Sequence, residues 1–247
     1  MKISVVTVSY NAAATIADTI KSVQAQDHPA IEHIVVDGAS TDGTVDILTR
    51  MADSRMRWIS ERDRGLYDAM NKGIALATGD IIGILNADDY FADRGALSAV
   101  IDAFACNPGR DAVLGDIAFV DEQGRQTRRY RSDRFKPSRT RWGWMPAHPG
   151  MYLTRQAYDK VGMYRTDLKI AADFDFVVRA FNTYGLSYAY LPRVLVDMRL
   201  GGASTDGWRA RMTINREVVR ACRDNGIYTN LAMIMSKYPL KVLELLR

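Results

Sequence analysis

The stretch Ile81-Ile82-Gly83-Ile84-Leu85-Asn86-Ala87-Asp88-Asp89 decides the fold: an apolar run ends abruptly in an amide and two carboxylates. A run this short with no polar face reads as a strand buried on both sides, the pattern of a parallel sheet covered by helices. Oxygen ligands gathered just past the carboxyl end of such a strand are placed to hold a hard divalent cation, and a cation there suits a diphosphate. The chain therefore reads as a user of activated phosphate compounds.

Working outward, residues before this strand alternate β runs with helical periodicity, as parallel βαβ units do. Ile3 to Val8 is a strand, and Ile16, Ile20 and Val23 recur at helical spacing. Ile34-Val35-Val36 is a second strand ending at Asp37, Val45, Leu48 and Ala52 mark a helix, and Arg57-Trp58-Ile59 is a short strand. Met70, Ile74 and Ala77 mark the helix that leads into Ile81. Another helix follows around Leu97, Val100, Ile101 and Phe104, closed by Asn107-Pro108-Gly109.

The second half is less regular. Ala112-Val113-Leu114 and Ala118-Phe119-Val120 flank Gly115-Asp116, and Asp121 to Gly124 forms a turn into a polar strand, Gln126 to Tyr130. Arg128 to Arg141 is basic and poor in aliphatic residues, then aromatic at Trp142-Gly143-Trp144, which reads as a loop able to cover a cleft. Strand Met151 to Leu153, helix Phe174 to Tyr184 and strand Tyr188 to Val196 return the chain to the sheet. Gly201-Gly202-Ala203-Ser204 is a break before two terminal helices.

Composition narrows the function classes. The 247 residues are 47% hydrophobic and 25% charged, an ordinary globular balance that argues against disorder. A net charge of +4 is too small an excess to argue for a nucleic-acid partner. Cys106 and Cys222 lie far apart without metal spacing and read as two buried thiols in a reducing compartment. The opening segment is a strand rather than a signal peptide, and no window reaches a membrane span of about 20 apolar residues. The expected location is cytoplasmic, at most peripheral at the inner face of the cell membrane.

Polar residues follow the strands at Ser9-Tyr10-Asn11, Asp37 to Asp42, Glu61 to Gly65 and Asn86 to Asp89, and the topology gathers these along one sheet edge. Asp42 is explained by helix capping, whereas Asp37 ends a buried strand and needs a partner. Neither G-x-x-x-x-G-K-S/T nor G-x-G-x-x-G is present after a strand, which removes the P-loop and dinucleotide-binding readings. What is left is a nucleotide site built from carboxylates, a stacking Tyr10 and a metal.

Four segments carry a resemblance. Ser4 to Asn11 (SVVTVSYN), Val36 to Thr44 (VDGASTDGT), Glu61 to Gly73 (ERDRGLYDAMNKG) and Leu85 to Asp89 (LNADD) closely resemble family 2 glycosyltransferases, and they occur in the family's order. The resemblance covers residues 1 to about 205. It implies an α/β GT-A fold, a Rossmann-like, mostly parallel sheet with helices on both faces. Residues 1–110 would form a nucleotide-binding half and 111–205 an acceptor half, with 206–247 as a C-terminal helical extension.

The same resemblance implies roles. Thr7, Ser9, Tyr10 and Asn11 would hold the nucleoside, Asp37 would accept from a base N–H, and Arg64, Asn71 and Lys72 would contact the base or diphosphate. Asn86-Ala87-Asp88 stands at the D-x-D position: Asn86 would meet the ribose or sugar and Asp88 would ligate Mn²⁺ or Mg²⁺, with Asp89 a further acid beside it. Ile170 to Phe176 is similar to the family's E-D-x-x-L segment, with Ala172 in place of Glu and Asp173 as the catalytic base. Asp173 also suits a helix N-cap, and Asp175, two residues on, would face elsewhere. Trp144 and His148 would lie on the acceptor side.

The implied function is inverting transfer of a sugar from a UDP- or GDP-linked donor to a hydroxyl of a glycan or lipid-linked acceptor. A metal-dependent nucleotidyltransferase and a non-catalytic nucleotide-sugar-binding protein are the alternatives. The terminal stretch Leu231 to Leu246 is apolar and basic, and three occupants suit it: its own domain, a second subunit, or an anionic membrane surface.

Overall fold

A computed structural model describes residues 1–199 and 207–237. The expected break at Gly201 to Ser204 and the terminal residues from Tyr238 lie outside these. Strands β1 (Ile3–Ser9), β2 (Ile31–Asp37), β3 (Met56–Ser60) and β4 (Ile81–Ile84) are parallel, with β1 between β2 and β4 and β3 outside β2. Helices α1 (Ile16–Gln24), α2 (Thr44–Met51) and α3 (Leu66–Leu76) make the crossovers.

Both faces of β1, β2 and β4 are covered, which is why Val5-Val6, Ile34-Val35-Val36 and Ile81 to Leu85 read as apolar runs. Val6 and Val8 turn to one face with Met70 and Ile74 of α3. Ile3 and Val5 turn to the other, with Leu97, Val100 and Phe104 of α4 (Ala96–Cys106). Alternation of side chains along a strand produces this division. Gly83 belongs to the packing, because a Cβ there would come within 2.2 Å of the Tyr152 ring.

Beyond β4 the sheet becomes mixed. Strand β8 (Met151–Thr154) lies antiparallel beside β4, β6 (Ala112–Val120) antiparallel beside β8, and β9 (Tyr188–Arg199) parallel to β6. Strand β5 (Asp89–Phe91) adds to β9, and β7 (Gln126–Tyr130) forms a hairpin with β6. Among the described residues the sheet has nine strands, in the order β3-β2-β1-β4-β8-β6-β9-β5 with β7 on β6.

The structure departs from the sequence reading at several points. Gly115-Asp116 does not separate two runs: β6 passes through it with an irregular register, because Gly115 makes room for Leu195, whose Cδ1 would lie 2.3 Å from a Cβ. The helix expected from Phe174 is α6 (Ala172–Val178), continued by a π turn at Arg179–Thr183. Cys222 is buried, but Cys106 is exposed, as the last residue of α4.

Helices α7 (Gly207–Asp224) and α8 (Leu231–Met235) fold back onto the domain. Val218, Ala221, Cys222 and Ile234 bury themselves against Ala171, Phe174 and Val178 around α6. Among the described residues no helix is long and apolar enough to cross a membrane.

Candidate active site

The carboxyl ends of β1, β2 and β4 bring three of the polar segments together. Ser9 and Asp37 end their strands in register. Asp37 is fully buried, and its carboxylate accepts from Ser9 Oγ (3.0 Å), Ser40 N (2.9 Å), Ser40 Oγ (2.5 Å) and Ser60 Oγ (2.7 Å). Donors from the ends of β1 and β3 and from the loop after β2 thus satisfy a buried carboxylate. Tyr10 is 68% exposed, its ring lying against Gly38, where a Cβ would sit 3.3 Å from Tyr10 Cδ2 and 2.6 Å from Asp63 Oδ2. Asn11 takes a left-handed φ of 49° and receives Thr41 N on its side chain at 3.0 Å. Asp42 is not the N-cap of α2, which is Gly43; it lies one residue earlier and accepts from Thr44 N, Thr44 Oγ1 and Ala13 N, donors that hold its carboxyl below the usual range.

Other candidates are committed elsewhere. Thr7 is fully buried, its hydroxyl 3.0 Å from His33 Nε2, so its side chain does not reach the cleft, and Ser9 spends its hydroxyl on Asp37. Thr7 alternates to the covered face of β1, which the sequence motif alone does not reveal. Asn71 bridges the main chain of Tyr164, donating to its O and accepting from its N, each at 2.8 Å. Arg64 pairs with Asp68 at 2.9 Å, and Lys72 pairs with Glu61 at 2.7 Å.

At the tip of β4, Ala87 N donates to Val8 O, and Thr19 Oγ1 donates to Ala87 O (3.0 Å) and Asp89 O (2.7 Å). Asp89 is 1% exposed, and burial followed by the Asp88 charge pushes its carboxyl well above the usual range. Asn86 Nδ2 points to Asp89 at 3.4 Å, which leaves the buried Asn86 Oδ1 without a partner. An orphaned amide oxygen two residues from the Asp88 carboxylate is a hard-oxygen donor set, and it fits Mg²⁺ or Mn²⁺. Such ions take one or two protein carboxylates and leave the other positions to phosphate and water. Among the described residues no group of three or more His, Cys, Asp or Glu is placed to hold a metal ion. Arg199 braces the tip from β9, reaching Asp88 O at 3.4 Å and Asp18 at 2.6 Å.

The opposite wall enters from β8. Because Gly83 pairs with Tyr152 antiparallel, the turn His148–Gly150 arrives at the carboxyl end of β4. His148 is 9% exposed, with Nε2 3.0 Å from the Tyr164 hydroxyl. Burial lowers its pKa, and the Asp173 charge works against that shift. Asp173 is half-buried in the first turn of α6, accepts from Phe174 N at 2.7 Å and lies 3.5 Å from the Tyr67 hydroxyl, which donates to Ile170 O. Desolvation raises its pKa against the opposing effects of His148 and its hydrogen bonds. The helix begins at Ala172, so Asp173 is not its N-cap.

Asp175 does face elsewhere: it is fully buried and paired with Arg179 at 2.8 Å and Arg165 at 3.5 Å. Trp144 lines a neighbouring cleft with Tyr130 and Met145. The tyrosines Tyr67 and Tyr164 were missed as site residues. Tyr67 could have been noticed, since it stands inside the Glu61 to Gly73 segment, whereas nothing in the sequence points to Tyr164.

Known proteins of similar sequence and shape fit this geometry. An uncharacterized glycosyltransferase of Mycobacterium tuberculosis is 32% identical over 193 residues, covering 72% of this chain and 68% of that protein. A PGL/p-HBAD biosynthesis glycosyltransferase of Mycobacterium bovis BCG is 29% identical over 205 residues, covering 81% and 78%. The structure of S. aureus TarS 1–349 in complex with UDP-GlcNAc superposes with a TM-score of 0.73 at 19% identity, over 92% of this chain and 68% of that one. The mannosyltransferase PcManGT of Pyrobaculum calidifontis, in complex with GDP-Man and Mn²⁺, gives 0.67 at 23% identity, over 90% and 63%. These likenesses establish the GT-A fold. The model of glycosyl transferase family 2 matches residues 4–165, well over half of the sequence, and the chain belongs to that family.

Proposed function

We propose that this glycosyltransferase transfers a sugar with inversion from a UDP- or GDP-linked donor to a hydroxyl of a glycan or lipid-linked acceptor, with Asp173 as the base. The observation that carries the proposal is Asp173 in the first turn of α6, 3.5 Å from the Tyr67 hydroxyl and with a pKa raised by desolvation, on the wall to which His148 also belongs, while β8 brings His148 to the carboxyl end of the strand before Asn86 and Asp88. A carboxylate whose basicity is raised by burial is a better proton acceptor for an attacking hydroxyl. Burial lowers the His148 pKa, and its Nε2 is held 3.0 Å from the Tyr164 hydroxyl, which fixes the ring beside the proposed base.

On the donor side, Tyr10 offers an exposed ring to the base, and Asn86 Oδ1 and Asp88 supply oxygens for Mn²⁺ or Mg²⁺. A bound divalent ion would neutralise charge on the departing diphosphate. The nucleotide sugars bound by the similarly folded TarS and PcManGT support a donor of this class. The test incubates the protein with UDP- and GDP-sugars, Mn²⁺ and glycoside acceptors, and follows nucleoside diphosphate release and product anomers by NMR. Inverted anomers with stoichiometric nucleoside diphosphate are expected. Pyrophosphate release, or retention at the anomeric carbon, would overturn the proposal.

A further inference from the structure

A cleft of about 400 Å³ opens beside the β6–β7 hairpin and is lined by Arg128, Arg129, Arg131, Arg134, Asp133 and Trp144, among others. Its volume is at the small end of ligand sites and suits one sugar-sized group. Four arginines and one aspartate line it, and with Asp116 beneath Arg129 also counted the cleft carries a formal excess of two positive charges. The arginines are not equivalent. Arg129 forks onto the fully buried Asp116 at 3.0 and 2.6 Å, and Asp116 also accepts from Tyr190 and Ser132, so Arg129 is a strut. Arg131 makes an exposed pair with Asp133 at 2.8 Å, a contact a ligand can replace at little cost. The Arg128 guanidinium lies over the Phe119 ring, 5.8 Å from its centroid.

This cleft is not the diphosphate site. In the sheet, β8 and β6 separate β4 from β7, so it lies strands away from Asn86 and Asp88. It is joined instead to the base-side wall. Tyr130 OH donates to Met145 O at 2.8 Å, and Ser132 Oγ donates to Gly115 O at 2.8 Å while accepting from Ala147 N at 3.1 Å. Ala147 precedes His148, whose charge environment includes Asp173.

We infer that this cleft seats an oxyanion, a carboxylate or a phosphate, carried by the sugar acceptor. Guanidinium forks match both groups in geometry and charge, and an indole ring beside them offers a face for the sugar itself. The inference deepens the glycosyltransferase reading and rests on it for the word acceptor, while the binding event stands by itself.

The test is a tryptophan-fluorescence titration with four probes: octyl glucoside, octyl glucuronide, glucose 6-phosphate and inorganic phosphate, with Trp144→Phe identifying the reporting ring. UDP or GDP with Mn²⁺, titrated calorimetrically, monitors the donor site separately. Expected is saturable binding of the glucuronide or the sugar phosphate at least tenfold tighter than the neutral glucoside, weakened about tenfold or more in Arg128→Gln/Arg131→Gln. The two anionic probes tell carboxylate from phosphate. Donor affinity should be unchanged in that variant; loss of donor binding already in the unsubstituted protein would count against the nucleotide-sugar reading and not against the cleft. Equal affinity for the neutral glucoside, no binding of any probe, indifference to the double substitution, or inorganic phosphate binding as tightly as the sugar phosphate would each overturn the inference.

Discussion

Replacing Asp173 with asparagine separates catalysis from structure. The substitution preserves shape, and an amide oxygen can still accept from Phe174 N at the 2.7 Å seen for the carboxylate. What is lost is the proposed proton acceptor. General-base assistance contributes about 10²- to 10⁴-fold, or about 3–5 kcal/mol of barrier, so kcat should fall by that factor while the dissociation constant for donor stays within about twofold.

Stability should move the opposite way. Burial raises the Asp173 pKa in the folded protein. A carboxyl whose folded pKa exceeds its unfolded value stabilises the fold below the unfolded value, about 3.9, and loses that contribution as pH rises through the folded pKa. At neutral pH the ionised Asp173 therefore costs stability that asparagine does not, and Tm of the variant should rise. The difference should vanish on acidification below about pH 3.9. The rate of the unsubstituted enzyme should fall on its acid limb with a midpoint above the ordinary carboxylate value, and any residual rate of the variant should lack that limb. Single-turnover kinetics at saturating donor and thermal melts from pH 3 to 8 check both signs. A variant within about threefold of full rate, or one losing rate and Tm together, would refute the assignment.

Other substitutions test neighbouring parts of the argument. Asp88→Ala should fold normally but lose most Mn²⁺-dependent donor affinity in calorimetry, and an unchanged Mn²⁺ dependence would remove Asp88 from the metal role. Asp175→Asn breaks a buried pair with Arg179 and should cost about 3–5 kcal/mol in denaturant melts with a near-normal rate per folded molecule. A loss of rate at full stability would instead move the base to Asp175. Gly83→Ala forces a Cβ within 2.2 Å of the buried Tyr152 ring and should destabilise by about 1–3 kcal/mol, read from the urea midpoint.

The first half of the fold was legible because β1, β2 and β4 are buried on both faces, so each carries an apolar run that is followed by a polar group. The second half gives weaker signals. Strand β5 has three residues directly after the acidic tip, and most of β9 is only half-buried, with tyrosines and arginines among its aliphatics. Gly115 looked like a break because glycine usually ends a strand, but its partner Leu195 is eighty residues away and invisible to local pattern.

The site divides along the same line. Residues that close strands announced themselves: Asp37, Asn86 and Asp88 were singled out because a carboxylate or amide closing an apolar run needs a reason. What a motif does not reveal is which way each member points, and Thr7 and Asn71 belong to quoted segments yet hold the scaffold, Thr7 to His33 and Asn71 to Tyr164. The Asn71 bridge still serves the chemistry, because the Tyr164 it fixes meets His148 through its hydroxyl. Tyr67 on α3, His148 before β8 and Asp173 on α6 come from three distant segments, and no local spacing records their meeting. The proposed base depends on the seating of Tyr67 beside Asp173 and of Tyr164 beside His148, so substitutions at Asn71 should alter the rate through these residues without any contact to substrate.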